Sequence, residues 1–176
     1  CNIVQPNMGI ITNIYEAHLK YFGDINEVAK TKSSLFSSLG KEGTAFINMD
    51  DPFISKMPIA CKGVEYSFNK SSDYQGSWSS DRQTLTINNI SINLSAASET
   101  MGLNALAVFS IASHLGMDAH VIKNKIESFQ LPAGRGNILQ FQDIMVINDS
   151  YNANLESART GINNLTSLSK GSRKIA

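Results

Sequence analysis

The chain has 176 residues, 42% hydrophobic and 17% charged, enough apolar content to bury one sizeable core. Fifteen basic and fifteen acidic side chains leave a formal net charge of +0, which gives no support for binding nucleic acid or a membrane surface. No apolar run approaches the ~20 residues of a membrane span, and Cys1 and Cys61 make neither a metal pattern nor a disulfide framework, as suits a reducing cytoplasm.

In chain order, Met-Gly-Ile-Ile-Thr-Asn-Ile (8–14) is an apolar run closed by polar residues and predicts a buried parallel strand. Residues 25–39 predict a helix closed by Gly40. A second strand is expected over 44–49, turned by Asp50-Asp51-Pro52, and a third over 62–68. From Gly76 to Leu94 the pattern changes to short alternating segments about Asn88-Asn89, which predicts an antiparallel hairpin appended to the parallel core. Helices follow at about 100–115, ended by Gly116, and 119–129. Leu131-Pro132-Ala133-Gly134-Arg135-Gly136 is the best boundary, dividing the chain into 1–133 and 134–176. Beyond it come strands at 138–141 and 144–148 and a helix at about 155–168. Strands alternating with helices indicate an α/β architecture with a mostly parallel sheet. The chain does not begin with Met and closes on an apparent strand opening, so the expectation is a fragment cut at both ends.

Three places hold candidate chemistry. Ile25, Val28, Ala29, Leu35, Phe36 and Leu39 mark one helix face, and the position completing that stripe is Lys32. One reading has its stem snorkelling along the core with the ammonium in water. The other has a desolvated lysine whose neutral amine takes up carbon dioxide and becomes a carbamate, an oxygen ligand suited to Mg²⁺. His18 follows the first strand closely, near the carboxyl end where open α/β sheets place ligands; a lone histidine is also commonly a surface or capping residue. Finally, the run Asn148-Asp149-Ser150-Tyr151-Asn152-Ala153-Asn154 sets many polar groups at the mouth of a core strand. Asn48-Met49-Asp50-Asp51 does the same after the second strand, where an Asp-Pro turn is sufficient explanation. No G-x-x-x-x-G-K-[ST] phosphate loop occurs in the chain.

The stretch GIITNIYEAHLKYFGDINEVAKTKSSLF, followed by AFINMDD, strongly resembles the middle domain of the Mur ligases, the ATP-dependent amino-acid-adding enzymes of peptidoglycan synthesis. LPAGRG followed by VINDSYNAN resembles the join to their Rossmann-like C-terminal domain. The wording D-S-Y-N-A-N is most similar to the branch that adds D-alanyl-D-alanine to UDP-MurNAc-tripeptide. The resemblance implies a cytoplasmic ligase that activates a carboxylate with ATP and Mg²⁺ as an acyl phosphate, which an amine then attacks. It implies that Lys32 is carbamylated and, with His18, holds Mg²⁺. It also implies that Arg135 reaches the nucleotide phosphates, that Asp149 accepts from the ribose hydroxyls, and that Tyr151, Asn152 and Asn154 shape the cleft between the domains.

Two departures qualify that reading. Where the family has G-x-H-N-x-x-N-A, this chain has Thr100 and Met101 in place of His and Asn, with Asn104 retained. The phosphate loop and UDP-binding domain that precede this region in the family are not in the 176 residues, so the chain alone is expected to be inactive. Residues 137–176 are expected to fray or to self-associate through exposed strand edges. The alternatives are another Mur ligase, a folylpolyglutamate- or cyanophycin-type ligase, or a non-catalytic nucleotide-binding module.

Overall fold

The computed structural model describes residues 3–15, 23–80, 82–94, 98–151, 155–168, 173 and 175. Six strands form one sheet in sequential order: β1 (Met8–Ile11), β2 (Thr44–Asn48), β3 (Lys62–Ser67), β4 (Tyr74–Ser79), β5 (Thr84–Ile87) and β6 (Ile90–Asn93). β1 to β4 run parallel; β5 is antiparallel to β4, and β6 to β5. The described helices are α1 (Ile25–Ser37), α2 (Glu99–His114), α3 (Ala119–Glu127) and α4 (Leu155–Leu168). β7 (Asn137–Phe141) and β8 (Ile144–Asn148) pair in a separate two-stranded antiparallel sheet.

Every residue of β2 is buried, because the sheet is covered on both faces. Ala45 and Ile47 pack with Val28 and Phe36 of α1, whereas Phe46 packs with Leu106 and Phe109 of α2. The alternation of a pleated strand sends successive side chains into opposite cores. Asp24 starts α1 by accepting from the amides of Asn26 and Glu27 at 2.8 and 3.0 Å. That helix ends at Ser37 with Ser38 as its cap, so Gly40 is not the residue that stops it. Gly116, by contrast, closes α2: its amide bonds Ser113 O and the Met117 amide bonds Ala112 O, which satisfies the last carbonyls.

The expected hairpin is present, with Asn88 and Asn89 both left-handed (φ 47° and 66°), as a two-residue turn between twisted strands requires. It is appended to the parallel core as expected, at the edge of the same sheet. β4 continues the main sheet, although only Tyr66–Tyr74 and Ser67–Gln75 pair across β3 and β4. This stagger lets a six-residue loop join two parallel strands, because β4 starts where β3 ends.

Asp50 ties that loop down. Its carboxylate accepts from Ser67 Oγ and Phe68 N, both at 2.6 Å, and from Asn69 N at 3.2 Å. Burial pushes the carboxyl up, but the hydrogen bonds from Ser67, Phe68 and Asn69 outweigh it and hold Asp50 below its ordinary value of 3.8. The stabilisation is therefore present above the unfolded value and is lost as pH falls through the lower folded one. We expect stability to decline below about pH 4, and Asp50→Asn to flatten that decline. Urea midpoints measured across this range, with an unchanged slope in the variant, would contradict the assignment.

Gly102 sits where α2 crosses the only tryptophan: a Cβ there would lie 2.6 Å from Trp78 Cε3 and 2.9 Å from Cδ2. Gly102→Ala should cost roughly 1–3 kcal/mol by overpacking and shift the indole fluorescence, which Trp78 alone supplies. A neutral effect in urea unfolding would show that the helix yields without strain.

Candidate functional site

The loop leaving β1 is held from three sides. Asn48, buried at the end of β2, donates its side-chain amide to Thr12 O at 2.7 Å. Asp51, also buried, accepts from Ile14 N at 2.8 Å through Oδ2 and from Phe53 N and Ile54 N at 2.9 and 3.0 Å through Oδ1. Between those anchors, Lys32 Nζ donates to Asn13 O at 3.0 Å. The Asn-Met-Asp-Asp run is thus a structural knot, as the Asp-Pro turn implied, and it fixes the backbone to which Lys32 reaches. Tyr66 lies fully buried beneath it; burial, with Asp51 and Asp50 nearby, raises its phenol far above the usual range, so it stays protonated.

Lys32 does direct its amine to the end of the first strand, two residues past Ile11. It is exposed, however, so placing it at the core face is corrected. Lys32 lies within the apolar stripe by angle, but at that level of the helix it meets Asn13 O, beyond the end of β1 at Ile11, and is left exposed. His18, Asn152 and Asn154 lie outside the described residues.

A second group forms where the 131–136 segment meets the loop after β8. Gly134 and Gly136 take φ of +78° and +77°, which only glycine adopts readily. Tyr151 N donates to Gly134 O at 3.0 Å, and Gly136 N to Asn148 O at 2.8 Å. Asn137 bridges the join: its Oδ1 accepts from Arg135 N at 3.2 Å and its Nδ2 donates to Leu131 O at 3.0 Å. The Arg135 guanidinium stacks on Tyr151, 4.0 Å from the ring centroid. Stacking on a ring face leaves the N–H edge of the guanidinium available for oxyanions. Much of the polar run after β8 therefore builds its own turn: Ser150 Oγ donates to Asn148 Oδ1 at 2.7 Å, while Asp149 stays exposed.

Asn104 lines a cavity of about 310 Å³ between α2 and α3, together with Met101, Val108, Met117, Ile122 and Ile126. Leu131 lines it as well, so the cavity adjoins the join that carries Arg135. Arg135 and Tyr151 thus meet at the join, and Leu131, four residues before Arg135, reaches the cavity that Asn104 lines. Among the described residues, no hydrogen bond links Lys32 to it. Asn48 and Asp51 belong to the polar run that pattern marks only as a turn, and Asn137 carries no mark beyond a polar side chain at a strand start.

Among the described residues, no three His, Cys, Asp or Glu side chains converge as a metal cage. A carbamate on Lys32 would supply the hard oxygen chemistry that Mg²⁺ takes, while the second ligand expected from the sequence, His18, lies outside the described residues. The modified nitrogen keeps one N–H for Asn13 O, and the added carboxylate brings hard anionic oxygens beside that carbonyl.

Residues 1–112 match the family model of the Mur ligase middle domain. The UDP-N-acetylmuramoyl-tripeptide--D-alanyl-D-alanine ligase of Rickettsia prowazekii is 30% identical over 173 residues, covering 91% of this chain and 38% of that protein. The crystal structure of MurF from Acinetobacter baumannii superposes with a TM-score of 0.80 at 26% identity, covering 94% of this chain and 38% of the other. MurF from Thermotoga maritima, solved in complex with ADP, has the same fold, with a TM-score of 0.81 at 21% identity over 95% of this chain and 40% of its own. The chain thus spans little more than a third of the length of these relatives.

Proposed function

Because the chain belongs to the Mur ligase family, we propose that it is part of a cytoplasmic ATP-dependent ligase that joins D-alanyl-D-alanine to UDP-MurNAc-tripeptide. In this reading residues 1–133 belong to the central domain and 134–176 open the C-terminal one. The observation that carries it is the join itself. Arg135 is stacked on Tyr151 beside exposed Asp149 and next to the cavity lined by Asn104. In this reading the join would offer a cation for phosphate and an acceptor for ribose, and Leu131 leads from it to the recess that would take a base.

The chemistry follows from the substrates. A carboxylate oxygen attacks the γ-phosphorus of ATP, ADP leaves, and the resulting acyl phosphate is attacked by the dipeptide amine with loss of phosphate. Charge builds on phosphoryl oxygens and then on a tetrahedral oxygen, so fixed cations are the catalysts this reaction needs. Arg135 would bind the phosphates and Asp149 the ribose hydroxyls, with Tyr151 and Asn152 bordering the cleft. Carbamylated Lys32 and His18 would hold Mg²⁺, which supplies Lewis-acid stabilisation of the phosphoryl oxygens when bound. The exposure of Lys32 leaves its amine open to carbon dioxide.

The complete protein should release ADP only when both UDP-MurNAc-tripeptide and D-alanyl-D-alanine are present. ADP release supported instead by L-alanine and UDP-MurNAc would move the protein to another branch, and no turnover with any acceptor would favour a non-catalytic nucleotide-binding module. The 176-residue chain itself contains no phosphate loop, and backbone amides of such a loop are the usual phosphate cradle. Calorimetry should accordingly find ATP binding to it no tighter than about millimolar; micromolar binding would contradict this.

A further inference from the structure

We propose that Asn48 is a positioning residue for Lys32, acting through the two peptide units between Thr12 and Ile14 at the point where β1 parts from β2. The inference rests on the catalytic role given to Lys32 above; the hydrogen bonds that motivate it do not. β1 and β2 are last paired at Ile11 and Ile47. β2 stays with β3 for one more residue, Asn48 opposite Tyr66, and the Met49 amide still bonds Tyr66 O at 3.0 Å. The space beyond such strand ends is where open parallel sheets place their ligands. Asn48 sits at the parting, 2% exposed, with both ends of its amide engaged: Nδ2 donates to Thr12 O at 2.7 Å and Oδ1 accepts from Asp50 N at 3.0 Å.

A trans peptide is planar, so holding one of its polar atoms aims the other. Asn13 O and Ile14 N belong to a single peptide unit. Its N–H donates to Asp51 Oδ2 at 2.8 Å, and its C=O, pointing the opposite way, accepts from Lys32 Nζ at 3.0 Å. The unit before it, Thr12 O with Asn13 N, is the one that Asn48 holds. Two buried side chains thus fix two successive planes, and the oxygen so aimed is the one that Lys32 meets. Stability alone does not call for an amide at position 48. Burying it has a desolvation cost that its hydrogen bonds return with little surplus, and Thr12 is exposed, so water can serve its carbonyl. Three backbone amides depend on Asp51 but only one on Asn48, so position 48 can be changed with less harm to the fold.

The test is a double-mutant cycle in the complete protein, with Asn48→Leu and Lys32→Ala made singly and together and turnover taken per folded molecule. With Lys32 present, Asn48→Leu should lower kcat by about 10²-fold, the effect of a small misplacement of a catalytic group, and leave KM nearly unchanged. In the Lys32→Ala background the same change should cost less than about threefold more, because the group it positions is gone. Equal losses in both backgrounds would overturn the proposal, since a residue that serves only the fold costs the same in each. Asn48→Asp keeps the acceptor for Asp50 N but lacks the donor for Thr12 O, and carries the cycle if the leucine variant does not fold. A second readout needs no activity. In the 176-residue chain, the ε-methylene ¹³C signal of Lys32, assigned by its loss in Lys32→Arg, should move on either substitution of Asn48. That of Lys30, on the same helix and paired with Glu27 at 3.6 Å, should stay. A still Lys32 signal would overturn the proposal whether or not the complete protein is a ligase. A moving signal supports the positioning even if the wild type shows no turnover, a result that would refute the ligase reading alone.

Discussion

Lys32→Ala in the complete ligase should lower turnover by about 10³-fold or more, the scale on which removal of a group that stabilises transition-state charge is felt. The fold should survive, because Lys32 is exposed and contributes one hydrogen bond, to Asn13 O. Lys32→Arg separates the two roles open to this side chain. Arginine keeps a cation able to reach the Asn13 carbonyl but forms no comparable carbamate, so it should be as inactive as alanine. A small carboxylate such as formate or acetate should restore part of the activity of the alanine variant by standing in for the carbamate oxygens. Normal turnover by Lys32→Ala would remove Lys32 from the catalytic machinery.

Asp51→Ala should be the most damaging substitution of the strand-end knot. It strands three backbone amides, those of Ile14, Phe53 and Ile54, around a side chain that is only 7% exposed. Leaving buried donors unpaired costs roughly 1–3 kcal/mol apiece before relaxation, so a loss of about 3 kcal/mol or more is expected. Asp51→Asn should be milder, since its remaining oxygen still accepts from one side. Urea unfolding followed through Trp78 measures both; a loss below about 1 kcal/mol for the alanine variant would mean that water replaces the carboxylate. The same variant should loosen the loop that presents Asn13 to Lys32, and so lower activity in the complete protein beyond what its stability explains.

Local patterns announce most elements. The 3.6-residue stripe of α1, the apolar run of β1 and the Asn88-Asn89 turn each carry their own signal and each element forms, although β1 stops at Ile11 where the apolar run reaches Ile14. β4 was harder to place, because Tyr-Gln-Gly-Ser-Trp-Ser has no continuous apolar face and owes its strand to pairing with β5 and to Gly102 making room for Trp78. The helix end before Gly40 shows a similar limit: Ser38 closes α1 through its own amide and side chain, bonded to Ser34 O and Leu35 O, and no left-handed glycine is used. Periodicity places Lys32 on the apolar stripe but does not say that the stripe there runs past the end of β1, where the side chain meets Asn13 O instead of the core. The knots made by Asp50 and Asp51 are only partly legible, for a different reason. The Asp-Pro turn marks the local bonds of Asp51 to Phe53 and Ile54, but Ile14 lies 37 residues from Asp51 and Phe68 18 from Asp50, and nothing local marks those pairings. For the candidate site, the motifs containing Arg135 and Tyr151 stood out as polar and glycine-rich punctuation, but their stacking is a tertiary fact.

The reaction is tested most directly by isotope transfer. UDP-MurNAc-tripeptide labelled with ¹⁸O in its reacting carboxylate, given with ATP and D-alanyl-D-alanine to the complete protein, should pass one labelled oxygen to the released phosphate for each amide formed. That oxygen can reach phosphate only if the carboxylate has attacked the γ-phosphorus of ATP. Amide formation with unlabelled phosphate would contradict the acyl-phosphate route, and ATP hydrolysis without amide formation would contradict the ligase.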